Sequence, residues 1–66
     1  LNRDPASAAM WWRRAAEHGS PLAMVMTSAY LEMGRGVPQD RVAAEQWYVK
    51  AVYHRSPALT AHVTTP

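Results

Sequence analysis

The chain contains no cysteine. Disulfides, one usual staple of a small fold, are therefore excluded. No cluster of histidines and carboxylates has zinc-ligand spacing, so the sequence offers no structural metal site. No apolar run approaches the roughly 20 residues that a membrane-spanning helix needs. No charged start followed by an apolar stretch marks a signal peptide. The lack of cysteine slightly favours the cytoplasm. The start at Leu1 rather than Met is what a fragment would show, and a leader lost from a longer precursor is compatible with it. Charge is scarce as well. Seven Lys and Arg against five Asp and Glu give +2. Part of that excess is local, in Arg13-Arg14, and this falls short of the basic stripe that marks nucleic-acid binding.

Catalytic signatures are missing too. No Gly-x-Ser-x-Gly elbow accompanies Ser20, Ser28 or Ser56, and no glycine-rich phosphate loop is present. Gly34-Arg35-Gly36 is too short for a phosphate cradle, and a turn accounts for it. The expectation is no enzymatic activity and no cofactor. With 66 residues the chain makes one small domain at most. It must be held by dense helix packing, by self-association or by a neighbouring piece of a longer chain.

What is present is helical punctuation. Apolar residues make up 48% of the chain, enough for a packed fold rather than a disordered one. Asp4-Pro5 spells a helix start: Asp caps the free N–H groups, and Pro is tolerated where its missing N–H would be unpaired. Nothing breaks a helix over residues 6–18, and Gly19 ends it. Ser20-Pro21 restarts the signal for a helix over 21–33. Its shared face is expected to carry Ala23, Met26 or Thr27, Tyr30 and Met33 or Gly34. Gly34-Arg35-Gly36-Val37-Pro38-Gln39-Asp40 then stops that helix and caps the next, as a compact link between antiparallel helices. The third helix is expected to run from 40 or 41 to 54, with an apolar stripe of Ala44, Trp47, Tyr48, Ala51 and Val52. Ser56-Pro57 is a third start signal, followed by a short segment and a tail.

The first and third helices match at an offset of 36. Asp4 pairs with Asp40, Ala8 with Ala44, Trp11 with Trp47 and Ala15 with Ala51. Trp12 pairs with Tyr48, Arg14 with Lys50, His18 with His54, and Ser20-Pro21 with Ser56-Pro57. A period in this range, with two helices per period, reads as an α-solenoid whose units bury their faces on one another.

The link and the run Ala43-Ala44-Glu45-Gln46-Trp47-Tyr48-Val49-Lys50-Ala51 resemble the Sel1-like repeat, a branch of the tetratricopeptide-like solenoids. Trp11-Trp12 and Arg14-Ala15-Ala16-Glu17-His18-Gly19 resemble the second helix of a preceding unit. The resemblance implies an all-α superhelix of about one and a half repeats, with three main helices and a short C-terminal segment. Residues 4–19 would be the second helix of a partial unit, 20–55 a complete unit, and 56–66 the start of a further repeat or a disordered tail. The structural repeat positions would be Asp4, Ala8, Trp11, Ala15, Gly19, Ala23, Gly34, Gly36, Asp40, Ala44, Trp47 and Ala51. Thr27-Ser28 stand where such units carry Leu-Gly, and Ser28 is expected to loosen the helix contact there. Val52 and Arg55 also depart from the pattern.

By function, the resemblance implies a protein-interaction scaffold or adaptor, with a protein or peptide partner or self-association. Trp11 and Trp47 are expected in the repeat core, and Trp12 and Tyr48 at the rim, as candidate partner-binding residues. His18, His54 and His62 read as surface residues near helix C-termini rather than as metal ligands. The competing readings are a small hydrolase or metal-dependent enzyme using His18 or His54, and a non-functional remnant of a repeat protein. Some relatives in this family have been associated with β-lactam binding, but through cysteine-stapled repeats.

Overall fold

The computed structural model describes residues 4–55, and the segment expected after Ser56-Pro57, with His62, lies outside the described residues. Among the described residues there are three α-helices and no strand: α1 Pro5–Glu17, α2 Pro21–Met33 and α3 Arg41–Arg55. Their limits follow the punctuation. The Asp4 carboxylate accepts from the N–H of Ala6 at 3.3 Å and from the Ser7 hydroxyl at 3.1 Å. The Ser20 hydroxyl accepts from the N–H of Ala23 at 3.2 Å, and Asp40 accepts from that of Ala43 at 3.0 Å. Each cap satisfies a donor that the first turn leaves unpaired.

Both interior helix ends close in the same way. The N–H of Gly19 donates to the Ala16 carbonyl and that of Ser20 to Ala15. After α2, Gly34 donates to Leu31 and Arg35 to Tyr30. This is the Schellman pattern, which needs a left-handed residue, and Gly19 and Gly34 supply it at φ +94° and +66°. Ser20 thus ends one helix and caps the next, so α1 and α2 turn back on each other with almost no loop. The link after α2 folds onto the helix it leaves. Asp40 N–H donates to the Leu31 carbonyl at 2.9 Å, and Gln39 Nε2 donates to the Glu32 carbonyl at 2.8 Å. These two bonds hold the start of α3 against the end of α2 and make the pair antiparallel.

Helix α2 is the middle element and packs against both α1 and α3. The core is made of small side chains. Ala16, Ala23, Met24 and Ala51 form one buried cluster, with Trp12, Ala15, Val25 and Trp47 packed around it. Ala9 and Ala44 are buried as well. Alanine at the contacts lets the helix axes approach closely, and the two indole rings fill the wider spaces.

Three expectations are corrected by this packing. Trp11 is 60% exposed, and it is Trp12 that packs on the core. On α3, Trp47 faces inward with Ala44 and Ala51, while Tyr48 and Val52 are exposed. On α2 the buried residues are Ala23, Met24, Thr27 and Ser28, and Met33 at the end of the expected stripe is exposed. Ser28 does not stand apart from its neighbours: it is buried on α2, with Thr27 beside it. A serine is small enough to keep the backbones close where the related pattern has glycine.

Thr27 carries a cost of its own. Its Oγ1 is buried and has no hydrogen-bond partner among the described residues. A buried hydroxyl without a partner destabilises by about 1–3 kcal/mol. Thr27→Val keeps the branched shape and removes the hydroxyl. It is expected to raise the thermal midpoint, by about 1 kcal/mol of stability. A lower midpoint in a circular-dichroism melt would show that the hydroxyl is satisfied.

Candidate interaction surface

The surface of interest lies on α3, where the helix turns away from α2. Residues 46, 49, 50 and 53 share one face at helical spacing. With Trp47 at its edge and Arg13 reaching over from α1, this face lines an open groove of about 680 Å³. Val49 and Tyr53 are exposed there, so apolar and aromatic surface is offered to solvent. The Lys50 ammonium sits 4.8 Å from the centre of the Trp47 ring, a cation–π distance. Arg13 is paired on its own helix with Glu17 at 3.4 Å. Both groups of that pair are exposed, so it adds little stability and can be exchanged for a partner's carboxylate.

Two smaller clefts flank α2. One brings Ser28 and Glu32 beside Arg41, Glu45 and Tyr48. The other lies between the helix ends, with Met24, Trp47, Lys50 and His54 in its wall. The His18 ring places Nδ1 2.8 Å from the Arg14 carbonyl at the end of α1, and His54 is exposed near the end of α3. Among the described residues no group of three or more histidines and carboxylates could hold a metal ion. No described helix is long and apolar enough to cross a membrane.

Of the residues singled out from sequence for partner binding, Tyr48 is on the surface and Trp12 is turned into the core side. Trp11 and Tyr48 are both exposed but stand on different helices, and neither lines the large groove. Sequence reading missed Val49 and Tyr53. Their signal was present: two apolar residues four apart, off the Ala44, Trp47, Ala51 stripe.

Three capped antiparallel helices, an alanine-lined core and a 36-residue offset between the outer two define a helical repeat of the tetratricopeptide-like class. The Sel1 repeat matches residues 1–20 and 21–54, and the chain belongs to the Sel1 repeat family. Repeats of this family are protein-interaction modules on a non-catalytic fold, and that coarse role extends to this chain. It is 32% identical over 65 residues to the chitin synthase regulator SKT5 of Malassezia restricta. The match covers 98% of the chain and 4% of that relative's length. No solved structure matches the chain.

Proposed function

We propose that the chain is an interaction scaffold, a stretch of helical repeat that binds a protein or peptide along the groove on α3. The supporting observation is the groove itself, where Val49, Tyr53 and Trp47 expose apolar surface between the cations Arg13 and Lys50. Trp, Tyr and Arg, three of the residue types that line this groove, are those in which binding hot spots are enriched. Residues 20–55 serve as the complete unit, and 4–19 as the second helix of the unit before. The relative's description as a regulator fits a scaffold that positions another protein, and the chain aligns with only 4% of it.

Tyr53 is the residue to test. Peptides selected on the chain from a random library are expected to bind about tenfold or more weaker to Tyr53→Ala, and weaker again to the double Val49→Ala, Tyr53→Ala variant. Met33→Ala, an exposed apolar residue outside the groove, is the control. Equal affinity for all three variants by fluorescence polarisation would place the binding surface elsewhere.

A further inference from the structure

Helix α2 is apolar or uncharged on nearly every side. Among its 13 residues the one charged side chain is Glu32. Ala23, Met24, Thr27 and Ser28 are buried on the side that packs against α1 and α3. The opposite side carries Leu22, Met26, Ala29 and Met33, which fall within about 60° of one another at 100° per residue. Leu22 is 63% and Met33 62% exposed, and Met26 and Ala29 are partly exposed between them. A helix that is apolar all round is normally covered all round. This face points away from both neighbouring helices, and no residue of α2 lines the groove on α3.

The four residues are spaced four, three and four apart, the seam along which two helices pack knobs into holes. The seam also fits its own reverse. In an antiparallel pair with a two-fold axis midway between Met26 and Ala29, Leu22 meets the partner's Met33, and Met26 meets the partner's Ala29. At the centre a long side chain therefore faces a small one, which lets the two helix axes approach closely. At the ends Leu meets the adaptable Met. Charge does not oppose the pairing. The seam carries none, and the two Glu32 side chains would stand about 14 Å apart along the axis, at 1.5 Å per residue. That exceeds the screening length of about 8 Å at physiological salt.

We infer that the outward face of α2 is a dimerisation surface, on which a second copy of this chain lays its own α2 antiparallel across Leu22, Met26, Ala29 and Met33. The contact is isologous: one patch meets itself, and the pair closes without leaving a further free end. What selects a second copy as the occupant is the match of the seam to its own reverse in size and in charge. The surface is separate from the groove on α3, which each copy keeps open, and its test does not depend on a ligand for that groove.

The test is sedimentation equilibrium of the whole chain over a concentration series, with circular dichroism to show that each variant stays helical. The parent is expected to pass from monomer to dimer mass. Ala29→Arg brings two cations together beside the axis and is expected to weaken the dimer at least about a hundredfold. Leu22→Glu and Met33→Lys each place an unpaired charge in the seam twice, and each is expected to weaken it about tenfold or more. The double variant Leu22→Glu, Met33→Lys sets opposite charges face to face at both ends. It is expected to dimerise at least about tenfold more tightly than either single variant, the coupling of residues in contact. Tyr53→Arg, in the groove on α3, is expected to leave the dimer unchanged. A parent that is monomeric at every concentration would overturn the inference and leave the face to a different protein. So would a dimer that survives Ala29→Arg or is lost in Tyr53→Arg, and a double variant no tighter than the single ones would overturn the antiparallel pairing.

Discussion

Gly36→Ala is expected to unfold the chain or to detach α1 from the link. Gly36 has φ +70°, a left-handed conformation that costs an ordinary residue about 1–2 kcal/mol. The larger problem is space. A Cβ built on Gly36 would overlap the carbonyl carbon and oxygen of Pro5, and would lie 2.6 Å from the Ala6 nitrogen. These are backbone atoms of the first turn of α1, and they cannot turn aside as a side-chain tip would. Forcing a methyl into a filled site costs about 1–3 kcal/mol more. A chain of this length has roughly 3–10 kcal/mol of stability in total. Gly19→Ala is the internal control: φ is +94° there, but a Cβ would meet nothing within 4 Å. It carries the conformational cost without the clash. The expected order of thermal midpoints by circular dichroism is parent, then Gly19→Ala, then Gly36→Ala well below both. Equal midpoints for the two variants would show that the link does not press on α1.

Trp47→Ala is expected to be the most damaging change within the core. The described core contains no large side chain that is fully buried; its buried apolar residues are five alanines and one methionine, with indole rings around them. Trp47 therefore supplies much of the apolar area that joins α3 to α2. Replacing a buried aromatic by alanine costs about 3–5 kcal/mol. Trp47 is partly exposed on its groove side, so the lower end, about 3 kcal/mol, applies. Alanine cannot recover the lost contact, because the surrounding residues are too small to collapse into the space. Urea unfolding should show a large fall in midpoint, with the slope little changed if two-state behaviour persists. Trp11→Ala should stay within about 0.5 kcal/mol of the parent, the range of surface changes. If the two tryptophans cost the same, then the packing of α1 and α3 is not as different as their exposure indicates.

The paired tryptophans also mark the limit of what could be read in advance. Helix ends were legible because capping chemistry is local. Asp4-Pro5 and Ser20-Pro21 start helices through bonds to nearby N–H groups, and Gly19 and Gly34 end them through a left-handed turn. The class of fold was legible because the 36-residue offset repeats identity at many positions together. The inward face of each helix was not. Adjacent Trp11 and Trp12 differ by about 100° of rotation, and either satisfies an apolar stripe. Equivalence to Trp47 pointed to Trp11, and the structure turned Trp12 inward. The groove on α3 escaped notice for a related reason: Val49 and Tyr53 belong to a second stripe whose exposure depends on where α1 ends up.

By itself, then, the sequence determined the three helices, their antiparallel order, the elbow at 34–40 and membership in a repeat class. Caps, turns and periodicity act over a few residues and carry their own chemistry. Only the tertiary structure decided which of two equivalent faces is covered. That depends on neighbours, and the two helices have different ones. Helix α3 meets α2 as the partner joined to it by the link, whereas α1 meets the same helix from the other side and with its other face. The same tryptophan position is therefore core in one helix and surface in the other.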